Sequence, residues 1–282
     1  MYDVKYISDT GKTIVFNLTS DSVITTMKGI TEHETEISKS QGFGQIGESV
    51  NNKAVRGRSV DITGQIIRNG KAAKKAILEA FPPLSSGVLW WEDKYRMQVY
   101  VKHSPFIQQT TYAKFTLTLF APYPFWESGE PKVVKTGQTT PLFSFPINYS
   151  TAHTFGSTSS MTSANCYVAG NLSAGFSLLL TAKDDVVNPG ILNLKTQKYL
   201  KFIGELKAKE QLKVYKDSGR LHVEKIVNGV ATNAFQMLDD TSMLFELQAG
   251  DNPIRVSADD GIDYLVASIE YADTFAGVYY GM

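Results

Sequence analysis

Residues 59–91, SVDITGQIIRNGKAAKKAILEAFPPLSSGVLWW, carry the pattern that decides the fold class. In Ser59–Asn69 the apolar residues Val60, Ile62 and Ile66 alternate with polar ones, which is typical of a strand with one buried face. The segment GVLWWED, which begins at the end of this stretch, is predicted to be a second strand. The sequence therefore predicts strands on both sides of the segment that joins them.

That joining segment is predicted to be a short helix from about Lys71 to Phe81. Ala73, Ile77 and Phe81 recur at helical spacing and share one face, and the two prolines that follow prevent the helix from continuing. A single short helix among many strands is expected to lay its apolar face across a sheet or a barrel end. This arrangement lacks the repeated strand–helix alternation of a doubly wound fold.

Strands dominate the rest of the first half. YDVKYIS and TIVFNLT flank the polar turn DTGK and predict a hairpin. Further strands are predicted in YRMQVYVKHS and AKFTLTLFAPY. The sequence therefore predicts a β-barrel or sheet domain with one short helix.

A shift in composition follows this half. No Asp, Glu, Lys or Arg occurs between Lys135 and Lys183. The proline-rich segment APYPFWESGEPK lies just before this interval, and prolines stiffen connectors and are excluded from paired strands. We therefore predict a first domain at 1–130 and a second at 131–282.

The second domain is predicted to be a β-sandwich. Short candidate strands recur, separated by turn signals such as KDSG, VNGV, AGDN and ADDG, which is the pattern of a sandwich. These strands are YLKFIGEL, EQLKVYKD, RLHVEKIV, SMLFELQ, NPIRVSA and YLVASIEYA.

Composition narrows the classes of function. The 28 basic and 28 acidic residues cancel, so the charge expected of a protein that binds nucleic acid or an anionic membrane is missing. Cys166 is the single cysteine and cannot form an internal disulfide. We see no signal peptide and no apolar run of membrane-spanning length. We expect synthesis in a cytoplasm, with neither direct nucleic-acid binding nor membrane insertion.

Two segments resemble nucleotide-binding motifs but lack a feature that such a site requires. Gly42–Gly47 fits G-x-G-x-x-G letter for letter, but no buried strand precedes it and no good helix follows, so a flexible glycine loop is the better interpretation. Gly11-Lys12-Thr13 resembles the end of a P-loop, yet Tyr6 stands where that motif requires glycine.

No set of residues predicts an enzyme or a metal site. Asp259, Asp260 and Asp263 surround Gly261 without the ligand spacing of an EF-hand, and no two of the four histidines have metal-ligand spacing. No nucleophile elbow is present, and adjacent acids such as Asp184 and Asp185 are interpreted as solvated turns. We expect no catalytic residue, no cofactor and no metal.

The order of features resembles the distal tail protein (Dit) family of long-tailed (siphovirus) phages and prophages. The first half has a glycine-rich loop, RSVDITGQI, one helix ending in prolines, a tryptophan strand and FTLTLFAPYPFWE. The second half has NPG at Asn188–Gly190, EQLKVYKDSGRLHVEKIVNGV, LQAGDNPIRV and ASIEYADTFAGVYYGM. The resemblance spans nearly the whole chain.

The resemblance implies a structural protein of the virion tail tip that is synthesised and assembled in the cytoplasm of the bacterial host. Its first domain would be the belt domain that forms a six-membered ring with copies of itself, and its second would be a galectin-like sandwich. The family's ring is a hub that joins the tail tube protein to the tail-associated spike protein and, often, to receptor-binding or baseplate components.

Candidate contacts follow from residue type. Loops and aromatic residues are common at interfaces, so the candidate ring contacts are Gly42, Phe43, Gly44, Gly47, Trp90 and Trp91. An alternative function is the binding of host cell-wall glycans by the second domain, in which aromatic residues of the uncharged interval stack on sugars. The candidate glycan contacts are Tyr149 and Tyr167.

Overall fold

The computed structural model describes residues 3–136, 139–141, 156–158, 162–217 and 219–278. The described chain is mainly β, which confirms the predicted fold class. It divides into two compact units: unit 1 comprises Met1–Glu130 and Thr274–Met282, and unit 2 comprises Pro131–Asp273.

Unit 1 contains the predicted helix, α1, which runs from Gly70 to Ala80 and so begins one residue earlier than predicted. The strands in the first of its two chain segments are β1 (Val4–Ser8), β2 (Thr13–Phe16), β3 (Ser22–Lys28), β4 (Thr35–Ser40), β5 (Ser49–Val55), β6 (Arg58–Ile66), β7 (Ser86–Trp91), β8 (Tyr95–Ile107), β9 (Lys114–Ala121) and β10 (Trp126–Ser128).

The main sheet of unit 1 is antiparallel and has the order β2-β1-β7-β8-β9-β6-β3. The predicted hairpin forms between β1 and β2, and its turn places Gly11 at a φ of 80°, a conformation that glycine adopts without steric cost. In β6 Val60, Ile62 and Ile66 are buried, as the alternation predicts, and Arg58 and Gly64 are buried on the same face.

Helix α1 lies on the buried face of this sheet. Ala73 and Ile77 face the core, as does Ala80 at its last position. Phe81 follows directly, and its ring stacks on Tyr6 of β1 with the ring centroids 4.2 Å apart. The apolar face predicted from helical spacing is therefore the face that joins the helix to the sheet.

The strands of unit 2 are β11 (Lys132–Lys135), β12 (Thr139–Pro141), β13 (Gly156–Thr158), β14 (Ser163–Val168), β15 (Phe176–Ala182), β16 (Val186–Val187), β17 (Gly190–Asn193), β18 (Lys198–Lys201), β19 (Glu205–Leu206), β20 (Gln211–Asp217), β21 (Arg220–Val227), β22 (Val230–Asn233), β23 (Gly250–Ser257) and β24 (Leu265–Tyr271). Short 3-10 turns lie at Phe235–Met237 and Ile262–Tyr264.

Two antiparallel sheets form the predicted sandwich of unit 2. One has the order β11-β24-β15-β20-β21-β22 and the other β14-β23-β17-β18. Their inward side chains share one core, in which Leu180 and Val214 come from the first sheet and Ile191 and Ile254 from the second. The predicted strand SMLFELQ (242–248) was wrong: this segment is irregular apart from an isolated bridge between Leu247 and Ala174.

The end of the chain belongs to unit 1, so the predicted second domain, 131–282, was too long. Strand β25 (Thr274–Phe275) pairs antiparallel with β10, with Trp126 opposite Phe275. Val278 is buried in the core of unit 1. Unit 2 is therefore inserted between two neighbouring strands of unit 1.

Among the described residues, no helix is both long enough and apolar enough to cross a membrane.

Candidate assembly and binding surfaces

The predicted glycine loop is the tip of an exposed two-stranded ribbon, which we call the arm (Thr35–Val55). Strands β4 and β5 pair with each other and with no other described strand. Every residue of the arm is exposed, and Phe43 and Ile46 at its tip are fully exposed. Gly44 and Gly47 have φ angles of 76° and 85°, so glycine suits both positions. The tip is therefore the turn of a β-hairpin and not a phosphate-binding loop.

The two faces of the arm differ in polarity. Residues opposite each other in a ribbon lie on the same face, and one face carries apolar side chains between basic ones while the other is polar. The first face consists of Thr35, Ile37, Lys39, Val50, Lys53 and Val55, and the second of Glu36, Ser38, Ser40, Ser49, Asn52 and Ala54. An isolated hairpin is marginally stable in water, so the apolar face is suited to being covered by another surface.

A buried polar cluster holds the base of the arm. Arg58 lies three residues after the end of the arm and is 4% exposed. Its Nη1 donates to the carbonyl of Ile30, and its Nη2 donates to the carbonyl of Ala276 at 2.6 Å. Nε2 of His33, on the other side of the arm, lies 2.6 Å from the same Ala276 carbonyl. The cluster thus joins both strands of the arm to the segment that follows β25.

Within the part of the chain that the structure describes, the charged Arg58 of this cluster forms no ion pair. Burial lowers the pKa of Arg58 to about 10, so the guanidinium stays protonated at neutral pH. Burial, and then the charge of Arg58, lowers the pKa of His33. A neutral His33 donates from Nε2 to Ala276 and presents Nδ1 to Nη2 of Arg58, 3.1 Å away.

The two tryptophans predicted as ring contacts point to opposite faces of β7. Trp91 is 2% exposed and packs edge-on against Trp126 in the core, so its side chain is not available to another copy and that prediction was wrong. Trp90 lies on the polar face, half-buried, with Nζ of Lys5 5.0 Å from its ring centroid. Trp90 remains a candidate contact.

The candidate glycan contacts have different outcomes. Tyr149 lies outside the described residues. Tyr167 lies on β14 and is 54% exposed, with Nζ of Lys132 5.8 Å from its ring centroid. Phe176, from the same aromatic interval, packs against Phe245 at the core of the sandwich.

A cleft that the sequence analysis missed lies on β21 and β22. It has a volume of about 300 Å³. Its polar side chains come from alternate positions of β21 and from the end of β22, with one exposed aromatic ring beside them. They are Arg220, His222, Glu224, Asn233 and Phe235. The signal in the sequence is the alternation in RLHVE, where the apolar Leu221 and Val223 separate three polar residues.

The acidic turn at Asp259–Asp263 is held by its own contacts. The carboxylate of Asp259 accepts from Asn188 at 2.7 Å and pairs with Nζ of Lys201 at 2.9 Å, and these two contacts lower its pKa. Among the described residues, no group of three His, Cys, Asp or Glu side chains is close enough to hold a metal ion.

No protein-family model and no curated protein sequence matches the chain. Among solved structures, the chain is similar to the SPP1 Dit (gp 19.1) protein, described as a paradigm of the hub adsorption apparatus in phages that infect Gram-positive bacteria. The TM-score is 0.68 at 11% identity, over 96% of this chain and 99% of that one. Two structures of the phage P2 baseplate in its activated conformation, with Ca and with Sr, give TM-scores of 0.47 and 0.45, both at 11% identity, over 99% of this chain and 100% of theirs.

The chain is thus a mainly β protein in which a sandwich is inserted into a helix-bearing sheet domain. Its fold is that of a Dit hub protein over almost its whole length. The resemblance inferred from the order of sequence features is confirmed at the level of the fold.

Proposed function

We propose that this chain is a structural hub protein of a phage tail tip. Copies of unit 1 form a ring, six-membered as in the family it resembles, that joins the tail tube to the tail-associated spike protein and to receptor-binding components. The observation that carries this proposal is the Dit-like fold over 96% of the chain. Such a hub works through interfaces and carries out no reaction.

The arm supports ring formation through contacts between copies. Its tip exposes Phe43 and Ile46 fully, and its apolar face exposes Ile37, Val50 and Val55. Exposed apolar groups of this kind mark interaction surfaces. An arm that docks on a different surface of the next copy makes a heterologous contact, and repeated heterologous contacts close into a ring when their rotation permits.

Mass photometry and negative-stain microscopy of the purified full chain test this proposal. We expect ring-shaped particles, either alone or after addition of the tail tube and spike proteins of the same genome. The matched control is a variant in which Phe43 and Ile46 are both replaced by serine, which should remain monomeric. A wild-type chain that stays monomeric at high concentration and with both partners would overturn the proposal.

Saccharide binding by unit 2 is a second candidate function. It is favoured by Tyr167, which presents an exposed ring beside Asn165, whose amide donates to the carboxylate of Asp251 at 2.6 Å. An aromatic ring next to amide and carboxylate groups suits a ligand rich in hydroxyl groups. Binding of cell-wall polysaccharide that is lost in Tyr167→Ala would support this surface, and unchanged binding would exclude it.

A further inference from the structure

The cleft on β21 and β22 is formed by the outer face of the larger sheet of unit 2. Arg220, His222 and Glu224 occupy alternate positions of β21 and therefore project from the same face. Asn233 lies opposite Glu224 on β22. The paired residues Val214 and Val223 project from the other face into the core.

The cleft offers hydrogen-bonding groups that nothing else in the described chain uses. Within the described residues, neither the guanidinium of Arg220 nor the ring nitrogens of His222 make a hydrogen bond, and the amide nitrogen of Asn233 is equally unengaged. Glu224 accepts a 2.9 Å hydrogen bond from the hydroxyl of Tyr215 through one oxygen, which leaves the other oxygen available. The cleft therefore presents donors and an acceptor close together.

The shape of the cleft is fixed before any ligand binds. The rings of Tyr215 and His222 stack with centroids 5.1 Å apart and an interplanar angle of 13°. Nζ of Lys213 lies 4.9 Å from the Tyr215 centroid, on the same strand. The side-chain oxygen of Asn233 accepts from the backbone N–H of Phe235 at 3.0 Å. These contacts limit the conformational entropy that binding would cost.

An exposed aromatic ring completes the cleft. Phe235 is 48% exposed although it begins a 3-10 turn whose neighbour Ala234 is buried. An apolar ring beside a few convergent polar groups is the composition of a small-molecule site. Arg220 and Glu224 carry opposite charges, so these two lining groups together give the cleft no net charge that would favour a strong anion over a neutral ligand.

We propose that this cleft binds a saccharide, with one sugar ring on Phe235 and its hydroxyl groups on Arg220, Glu224 and Asn233. A hydroxyl group both donates and accepts, so a sugar satisfies the donors and the acceptor of the cleft together. The inference rests on the second candidate function, saccharide binding by unit 2, and places it on a different sheet from Tyr167. It is independent of ring formation.

A glycan array of bacterial cell-wall and capsular polysaccharides, probed with the labelled full chain, tests the proposal. The best array ligand is then titrated against Phe235→Ala and Asn233→Ala, against Tyr167→Ala as the variant of the alternative surface, and against the control Tyr264→Ala, which removes an exposed aromatic ring outside the cleft. We expect at least about tenfold weaker binding in the first two variants, which corresponds to about 1.4 kcal/mol, and unchanged binding in the control. Both Phe235 and Asn233 are exposed, and circular dichroism verifies that each variant is folded.

Three results would overturn the proposal. Loss of binding in Tyr167→Ala alone would move the site to the other sheet while leaving saccharide binding by unit 2 intact. No bound polysaccharide on the array would remove both the cleft and the second candidate function. Binding of an extended peptide along the edge strand β22, with no saccharide bound, would assign the surface to a protein partner.

Discussion

Nη2 of Arg58 lies 3.1 Å from Nδ1 of His33, and these two residues stand on either side of the arm. The pair ties the beginning and the end of the arm to one carbonyl, that of Ala276. Glu32 is the acidic group whose charge acts on Arg58, and no carboxylate forms an ion pair with the guanidinium among the described residues. The base of the arm therefore depends on His33 remaining neutral.

Acidification should weaken unit 1 through His33. Its pKa is lowered from 6.5 in the folded chain, so below about pH 6.5 the unfolded state binds a proton that the folded state does not. The contribution of His33 to the free energy of unfolding is therefore fully present above that pH, and it is lost as the pH drops below it. Thermal unfolding at about pH 7.5 and about pH 5.5 should show a larger loss for wild type than for His33→Gln. Equal losses in the two proteins would contradict this role.

The arm tip should matter for assembly and not for folding. Phe43 and Ile46 are fully exposed, so replacing both with serine should leave the unfolding temperature of the monomer unchanged. We expect the same substitutions to shift sedimentation velocity profiles from assemblies to monomer. Replacing the exposed Leu84, which lies away from the arm, with serine is the matched control and should leave assembly intact.

The segment after Asp273 should stabilise unit 1. Val278 is 3% exposed and belongs to the core of that unit. Val278→Ala should lower the free energy of unfolding by about 2 kcal/mol, because it removes buried methyl groups and leaves a cavity. Urea denaturation monitored by tryptophan fluorescence measures the loss, since Trp126 pairs opposite Phe275 in β25. A variant as stable as wild type would show that this segment does not contribute to the core.

Cys166 should be inert in the folded chain. Its thiol is fully buried, and burial raises its pKa to about 11, so little thiolate forms at physiological pH. Iodoacetamide at about pH 8 should leave the native protein unlabelled and should label it in urea. Labelling of the native protein at the rate of a free thiol would contradict the burial of β14 in the sandwich.

The sequence predicts elements well where one face is buried. β1 and β6 alternate cleanly because each has a core side, and α1 is recognised because its apolar face is followed by prolines. The arm was predicted only as a loop, since β4 and β5 have both faces in solvent and therefore carry no alternation with a core. The alternation of core-facing and solvent-facing residues therefore cannot reveal such a ribbon.

The errors have equally local causes. Trp90 and Trp91 are adjacent in a strand and must point in opposite directions, so at most one of them could be exposed on the polar face. Thr274 belongs to unit 1 because it pairs with a strand that is far from it in the sequence. Amino-acid composition gives no signal for such a long-range pairing. The cleft is similar, because the alternation of Arg220, His222 and Glu224 is visible in the sequence but Asn233 and Phe235 join it only through strand pairing.

The insertion of unit 2 between β10 and β25 has an evolutionary consequence. Neighbouring strands are about 4.8 Å apart, so the two splice points in unit 1 are about one strand spacing from each other. A replacement domain whose own termini are adjacent could be grafted there without altering the sheet, the arm or the helix of unit 1. A lineage carrying this architecture can keep unit 1 unchanged and exchange unit 2 for a different domain in a single recombination event.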